Sequence, residues 1–152
     1  MRHFSIYPLY VGDITRQKSN MAYLQEPGVL VDFPLICWYI TDGVHKIMVD
    51  TGGRAPDGRW QPYRRAPEQD LPFVLSQLGV CPEDITDVIL THLHWDHAGN
   101  NHIFTNARFY VQRRELEEAA NPPIKLFAGS YDNEAIFQTN YVALDGDCTI
   151  LD

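Results

Sequence analysis

The sequence contains few cysteines: three in 152 residues, namely Cys37, Cys81 and Cys148. The number is odd and no Cys-x-x-Cys pair occurs, so a disulfide framework is not expected. A reducing compartment is the simpler interpretation, and we predict that the protein is cytoplasmic. Each cysteine is predicted to be a small, buried hydrophobic side chain.

Long hydrophobic runs are also missing. The longest apolar stretch without a charge, PLICWYI at residues 34–40, is much shorter than the roughly 20 residues that a membrane-spanning helix needs. The first residues, MRHFSIYPLYVG, have no extended apolar core and are interrupted by Pro8, so no signal peptide is expected. The sequence therefore predicts no association with a membrane.

Positive charge is in the minority. The chain has 12 Lys and Arg against 20 Asp and Glu, a net charge of -8 at pH 7. Proteins that bind nucleic acid need a basic surface for the phosphates, so nucleic acid is not expected as a partner. With 152 residues, of which 45% are hydrophobic, we predict a single domain over residues 1–152.

Several common catalytic motifs are absent from the sequence. There is no H-E-x-x-H, no G-x-S-x-G, no P-loop and no G-x-G-x-x-G. These absences argue against a helical zinc protease, an α/β-hydrolase nucleophile and a nucleotide-binding loop. Gly52-Gly53 by itself indicates a turn.

The apolar patterns predict an α+β fold. Strands are predicted at His3 to Val11, Leu35 to Ile40, Lys46 to Val49, Val88 to Leu90, Arg108 to Gln112, Tyr141 to Leu144 and Cys148 to Leu151. Helices are predicted from the stripe Leu71, Val74, Leu75 and Leu78, with Asp70 and Gly79 at its ends, and from Arg113 to Ala120. Long loops are predicted at 12–34 and 53–69, and a hairpin turn at Asp42-Gly43. This order predicts a mixed sheet with helices packed on it.

One short segment concentrates side chains that bind metals. THLHWDHAGNN, residues 91–101, places His92, His94, Asp96 and His97 within six positions, directly after the apolar strand. In an extended segment, residues two apart point the same way, so His92 and His94 are predicted to converge on one ion. Asp96 and His97 follow where the backbone turns and are predicted to hold a second ion, about 3.5–4 Å away. Imidazole and carboxylate ligands favour zinc, with iron or manganese as alternatives.

This segment resembles the metal-binding motif H-x-H-x-D-H of the metallo-β-lactamase superfamily, and the chain is most similar to its N-acyl-homoserine lactonases. The resemblance extends to PGVLVDFPLICWYI, IMVDTG, FTNARFYVQRRELEEA and NYVALDGD, and so covers nearly the whole chain. It implies a metallo-β-lactamase-like αβ/βα sandwich. We expect this chain to hold its first half and the start of the second, a domain incomplete at its C-terminal end.

The resemblance also implies roles for individual residues. His92 and His94 match ligands of a first zinc ion, and Asp96 and His97 match ligands of a second. Asp96 also matches a catalytic residue that passes a proton during ring opening, and Trp95 an aromatic position at the mouth of the substrate pocket. Asp50 matches an aspartate that orients the metal-binding histidines. From the residues alone, Asp50 is equally explained as a turn-capping aspartate and Trp95 as a packing residue.

The implied reaction is hydrolysis of a small-molecule lactone. Zinc-bound hydroxide attacks the lactone carbonyl, the second zinc stabilises the developing charge, and Asp96 protonates the leaving alkoxide. The expected product is the ring-opened N-acyl-homoserine, which would make the protein a quorum-quenching enzyme.

The sequence departs from the superfamily in its ligand set. The family supplies two further histidines and a bridging aspartate later in the chain, whereas no histidine follows His102 here. The later aspartates, Asp132, Asp145, Asp147 and Asp152, have no matching context, and Asp145 and Asp147 are predicted to be turn residues. Each ion would have two ligands, where a catalytic zinc usually has three. We therefore expect this chain to be inactive alone, with His3, His45 and His102 as the possible substitutes and one apolar sheet face uncovered.

Two alternatives remain open. One is another ester or thioester hydrolase of the same fold, similar to glyoxalase II. The other is a non-catalytic remnant that binds metal weakly or pairs with a partner through its uncovered face. A homo-oligomer is compatible with either alternative.

Overall fold

The protein is described by a computed structural model that covers residues 2–54 and 62–151. Its centre is a seven-stranded sheet in the order β4-β1-β2-β3-β5-β6-β7. The strands are β1 (Ser5–Gln17), β2 (Leu30–Thr41), β3 (Lys46–Val49), β4 (Tyr63–Arg64), β5 (Asp87–Ile89), β6 (Arg108–Gln112) and β7 (Tyr141–Leu144). Strands β4, β1, β2 and β3 pair antiparallel, while β3, β5, β6 and β7 pair parallel. The predicted mixed sheet is confirmed.

Within residues 2–54 and 62–151, five short α-helices accompany the sheet: α1 (Lys18–Met21), α2 (Leu71–Ser76), α3 (Trp95–Ala98), α4 (Arg113–Ala120) and α5 (Asn133–Phe137). Short 3-10 helices lie at Pro67–Gln69, Pro82–Asp84, Asn101–Ile103 and Lys125–Ser130. In the described parts of the chain, no helix is long and apolar enough to cross a membrane.

The first hairpin is longer than the sequence predicts. Residues 12–34 are predicted to be a loop, but β1 continues to Gln17 and β2 begins at Leu30, with α1 at the tip between them. The register shifts at a bulge between Tyr10 and Gly12, and Gly12 adopts φ +144° with the Tyr63 ring against it. The bulge lets the strand continue past Val11, the end predicted from the sequence. The polar side chains beyond the bulge bond across the hairpin, as Thr15 does with Asp32 at 2.6 Å.

The turn between β2 and β3 is the one predicted. One Asp42 carboxylate oxygen accepts the N–H groups of Val44, at 3.0 Å, and His45, at 2.8 Å. Gly43 has φ +91°, in the left-handed region that glycine adopts without strain. The prediction of a hairpin at Asp42-Gly43 is confirmed.

Helix α2 forms where its apolar stripe predicts it, but is shorter. Leu71 and Leu75 are fully buried, whereas Leu78 lies beyond the helix end and is 39% exposed. Asp70 stands at the N-cap position without capping the helix, because its carboxylate pairs with Arg65 at 2.9 Å. Gly79, with φ +69°, follows the helix as predicted.

Two further predictions are wrong: the strand at residues 148–151 and the burial of all three cysteines. Residues 148–151 are not a strand; they lie beside the sheet, where Ile89 and Tyr110 border the same shallow depression. Only Cys37 is buried, whereas Cys81 and Cys148 are exposed. Of the predicted loop at 53–69, residues 55–61 lie outside the described residues, as does Asp152. Its second half is not all loop, because β4 and the 3-10 helix at Pro67–Gln69 lie there.

The two faces of the sheet differ in burial. The helix-covered face carries the core, with Val11, Met48, Val88 and Val111 at most 1% exposed. On the other face, Trp38, paired with Pro8 and Val49, is 41% exposed. The predicted uncovered apolar face is therefore present only in part, because Ile47 and Tyr110 on the same face are 4% and 6% exposed.

Candidate metal centre

The candidate centre lies where two neighbouring parallel strands end. Strands β3 and β5 pair in register, with Met48 opposite Val88, so the residues that follow them meet at one edge of the sheet. The N–H of Asp50 donates to the carbonyl of Ile89 at 2.9 Å, which carries the pairing one residue further. Asp50 and Thr91 thus become neighbours although 41 positions separate them.

Asp50 binds both the loop backbone and a histidine. Its carboxylate accepts the Thr91 N–H at 2.8 Å and lies 2.8 Å from Nδ1 of His97. Its backbone has φ +60°, a left-handed conformation that costs a non-glycine residue about 1–3 kcal/mol. The same carboxylate therefore contacts both the turn backbone and a histidine, the partners expected from the two interpretations of Asp50.

The three histidines of the motif form one cluster. Leu93 is fully buried between His92 and His94, whose ring centroids lie 4.6 Å apart, as the extended geometry predicts. Helix α3 then returns the chain, and the His97 ring lies 4.0 Å from the His92 ring. His97 Nε2 lies 3.7 Å from Oδ2 of Asp96. The four side chains therefore lie closer together than expected for two separate pairs, each directed at its own ion.

Burial and neighbouring charges keep two of these histidines neutral. Burial, aided by the other two imidazoles, lowers the pKa of His92 to about 4. Burial also lowers the pKa of His94. For His97 burial acts downward, but the hydrogen bond to Asp50 and the nearby Asp96 outweigh it, and its pKa is raised. Neutral imidazoles are the form that binds a metal ion.

The donor types fit zinc. Asp50 occupies Nδ1 of His97, which leaves Nε2 on the side of Asp96, an arrangement common for metal-bound histidines. The residues that would hold the metal are His92, His94, Asp96 and His97. Within the described ranges, however, no three His, Cys, Asp or Glu side chains already form a group that could hold an ion. Metal binding therefore requires these side chains to rearrange or further donors to join them.

The other histidines do not complete the cluster. Ser5 pairs with Thr41, so His3, just before β1, lies at the opposite edge of the sheet. His45 is at that same edge, in the β2–β3 turn, 2.9 Å from Asp42. His102 borders a separate cavity together with Arg54 and Arg65. His3 and His45, two of the three possible substitutes, therefore lie away from the cluster.

The later aspartates have other contacts. Asp145 makes a two-pronged ion pair with Arg113, with distances of 2.9 Å from Nε and from Nη2. Asp132 is buried, with Oδ2 3.7 Å from Nε of Arg54.

Polar residues that the sequence does not single out support the cluster. Glu115 on α4 accepts the N–H of Leu93, between the two histidines, at 2.9 Å. Asn100 Nδ2 donates to the carbonyls of Thr51, at 2.8 Å, and Gly53, at 2.7 Å, and so ties the segment after β3 to the motif. Thr51 N–H donates to the carbonyl of His97 at 2.6 Å. A lone glutamate in a charged helix and an asparagine in a loop carry no spacing signal that would reveal these contacts.

Comparison with known proteins decides the family. The profile of the metallo-beta-lactamase superfamily matches residues 34–147, more than half of the chain and all of the cluster. The chain belongs to the metallo-beta-lactamase superfamily.

The superfamily members most similar to the chain include N-acyl homoserine lactonases. One from a Bacillus species is 32% identical over 160 residues, which cover 96% of this chain and 61% of that protein. The lactonase AiiB of Agrobacterium fabrum is 36% identical over 115 residues, or 66% of this chain and 42% of that protein. A crystal structure of a Bacillus thuringiensis AiiA variant with N-decanoyl-L-homoserine at its active site superimposes with TM-score 0.80 at 28% identity, covering 96% of this chain and 61% of that one. The chain thus spans about three fifths of the length of the two Bacillus relatives.

A cleft adjoins the metal motif of this superfamily member. It has a volume of about 300 Å³ and lies between the first hairpin, α1, the motif and the 3-10 helix at Lys125–Ser130. It is lined by Ile14, Arg16, Asn20, Met21, Phe33, His94, Trp95, Asp96, Phe127 and Ser130. A mostly apolar cleft beside candidate metal ligands is a suitable binding site for a small molecule.

Trp95 borders this cleft but is mainly a packing residue. It is only 5% exposed, and its ring meets Tyr63 edge-to-face at 5.1 Å. A Cβ atom on Gly53 would lie 2.9 Å from the same ring. Its predicted contact with substrate is therefore limited to the small part of the ring that faces the cleft.

Proposed function

We propose that this chain carries the metal-binding part of a zinc-dependent hydrolase that opens the lactone ring of N-acyl homoserine lactones. The observation that carries the proposal is the convergence of His92, His94, Asp96 and His97 beside a mostly apolar cleft, with Asp50 bonded to His97. The similarity to proteins named N-acyl homoserine lactonases supports this substrate over others in the superfamily.

We assign one function to each part of the cluster. When bound, two zinc ions would supply a water of pKa about 7 and polarise the lactone carbonyl. His92 and His94 hold one ion, and Asp96 and His97 the other. Asp50 keeps the proton of His97 on Nδ1 and so directs Nε2 to the metal. Asp96, which faces the cleft, passes a proton to the departing alkoxide oxygen.

The cleft holds the acyl chain in this proposal. Ile14, Met21, Phe33 and Phe127 offer apolar surface to an alkyl chain, while His94 and Asp96 stand at the same cleft where the ring would react. Burying a methylene group contributes about 0.8 kcal/mol, so a chain of several carbons gains useful affinity from these side chains.

The site needs donors beyond these four. A catalytic zinc commonly has three protein ligands, and the cluster provides two for each ion. We propose that additional donors come from residues outside this chain, on a longer form of the protein or on a partner, and that this chain alone is inactive.

The test compares two substrates on the zinc-loaded protein, both as its source cell makes it and as the isolated 152-residue chain. Ring opening of N-octanoyl homoserine lactone releases a carboxylic acid, which a pH indicator follows; cleavage of S-lactoylglutathione is followed in parallel. We expect the protein from the source cell to open the lactone and the isolated chain to be inactive. His92→Ala should abolish lactone opening, and the matched control His3→Ala, at the far edge of the sheet, should not.

Each other result has a definite meaning. Cleavage of the thioester without the lactone would assign the protein to the thioester hydrolases of the fold. Failure to bind zinc, with neither substrate cleaved, would support the non-catalytic alternative. Full activity of the isolated chain would overturn the proposal that donors come from elsewhere.

A further inference from the structure

The apolar cleft beside the metal motif contains one arginine. Among the described residues that line it, Arg16 is the only arginine or lysine, and five of the others are apolar: Ile14, Met21, Phe33, Trp95 and Phe127. Moving a guanidinium away from water into such surroundings is costly unless its N–H groups find acceptors. A molecule that fills the cleft and excludes water from Arg16 would therefore have to supply an acceptor.

The strand places Arg16 on the cleft side. Ile14 and Arg16 are two residues apart on β1, so both point to the same face of the sheet. Ile14 pairs with Phe33, and both side chains line the cleft. Arg16 is part-buried, with Nη1 donating to the carbonyl of Thr15 at 2.9 Å. This bond occupies one of five N–H donors and restrains the guanidinium.

Arg16 differs from the other arginines of the fold. In the described ranges, no carboxylate oxygen lies within 4.0 Å of its guanidinium, whereas most other arginines have such a partner: Arg54 with Glu134, Arg64 with Asp32, Arg65 with Asp70, Arg108 with Asp87, Arg113 with Asp145 and Arg114 with Glu118. The donors of Arg16 are therefore available to a molecule in the cleft.

We propose that Arg16 is a specificity-determining residue that selects acyl chains bearing an acceptor oxygen, such as the 3-oxo group of a β-keto acyl chain. This inference rests on the proposed function. A saturated chain would cover the guanidinium with methylene groups and leave donors unsatisfied, whereas a keto oxygen accepts a charge-assisted hydrogen bond. Arg16, His94 and Asp96 line the same cleft, so an acyl chain that extends from the ring along this cleft can bring its acceptor oxygens to the guanidinium.

The kinetic test compares matched substrates. For the protein as its source cell makes it, kcat/KM should favour N-(3-oxooctanoyl) over N-octanoyl homoserine lactone roughly tenfold, the usual effect of one charge-assisted hydrogen bond. Arg16→Met should remove the preference by lowering kcat/KM for the 3-oxo substrate, and Arg16→Lys should restore part of it. The control Arg114→Met, on the exposed side of α4, should leave the ratio unchanged. An unchanged ratio in Arg16→Met would overturn the proposal.

A binding measurement separates this inference from the proposed function. Calorimetry on the zinc-free protein uses the two lactam analogues, in which the ring oxygen is replaced by N–H and hydrolysis is blocked. Tighter binding of the 3-oxo lactam, lost in Arg16→Met, supports the inference even if no lactone is ever hydrolysed. Hydrolysis of both lactones with equal binding of both lactams would leave the proposed function standing and overturn the assignment of Arg16. Absence of lactam binding would also overturn it.

Discussion

At the scale of single residues, Asp50 and His97 form the contact on which the candidate centre depends. The two side chains come from segments 47 positions apart, and their 2.8 Å contact decides which nitrogen of His97 is available to a metal ion. The left-handed backbone of Asp50 costs free energy that the four contacts of its carboxylate with Thr91 and His97 offset. Strain of this kind at a strand end is typical of functional sites.

Replacing Asp50 tests this dependence. Asp50→Asn removes the negative charge that fixes the tautomer of His97, and zinc affinity should fall about 10- to 100-fold, the range for losing such a partner. Competition with a chromophoric chelator measures the affinity. Asp42→Asn is the matched control, because Asp42 makes the same contact with His45 at 2.9 Å in the turn at the opposite edge. Equal losses in both variants would contradict the assignment of Asp50.

Tyr63 predicts a pH dependence of stability. Its side chain is 3% exposed, and burial raises its pKa from 10.0 to about 12. The pKa of Tyr63 is therefore higher in the folded protein than in the unfolded chain. The contribution of Tyr63 to the free energy of unfolding is complete below pH 10 and is lost as the pH rises from 10 to 12. This loss amounts to about 2–3 kcal/mol. Urea unfolding of the protein and of Tyr63→Phe should show free energies of unfolding that converge over this range; parallel curves would rule the account out.

At the scale of elements, helix α4 positions the metal motif. The side chain of Glu115, in the first half of α4, accepts the N–H of Leu93. Glu118, about one turn further along the helix, pairs with Arg114 at the surface. The helix therefore clamps the backbone between His92 and His94 without contributing a ligand. The motif follows β5 and helix α4 follows β6, so the parallel pairing of these two strands brings Leu93 and Glu115 together.

Substitutions of the two glutamates measure the clamp. Glu115→Ala leaves the Leu93 N–H without its acceptor, so the free energy of unfolding should fall by about 1–3 kcal/mol and zinc affinity should fall with it. Glu115→Gln retains an acceptor oxygen and should recover most of both losses. Glu118→Ala, the control, should change neither quantity by more than about 0.5 kcal/mol. Chemical denaturation with and without zinc gives both numbers.

At the scale of the whole molecule, the sheet divides the protein into a covered and an open side. Helices pack on one face, whereas Ile6, Trp38 and Val142 on the other are 59%, 41% and 44% exposed. Exposed apolar side chains on one face of a sheet promote association. We therefore expect the open side to cause the isolated chain to associate.

Sedimentation velocity should show association of the isolated chain that increases with concentration. Trp38→Lys places a charge at the middle of the open face and should shift the distribution toward the monomer. Phe73→Lys, at a residue of similar exposure, 45%, on helix α2, should leave it unchanged. A monomer at all concentrations for the unmodified chain would refute this expectation.

Local patterns in the sequence determined several features of this protein. The spacing of the motif identifies the four candidate ligands and the superfamily, because ligand spacing on an extended segment needs no knowledge of distant residues. The strands β3, β6 and β7 and helix α4 follow from short runs of apolar or helix-forming residues, and the β2–β3 turn from Asp42-Gly43. Each depends on interactions between residues close together in the chain.

Only the tertiary structure decided the rest, because it depends on contacts between distant segments. The first hairpin is long because its strands continue to pair beyond the Gly12 bulge, in a region whose polar residues do not predict a strand. The hydrogen bond from Leu93 to Glu115 joins positions 22 apart in the sequence. The cleft that contains Arg16 forms only where the first hairpin, the metal motif and the 3-10 helix at Lys125–Ser130 meet. Residue types and spacing name the chemistry of the site, whereas the packing of separate elements determines which side chains support it and which can meet a substrate.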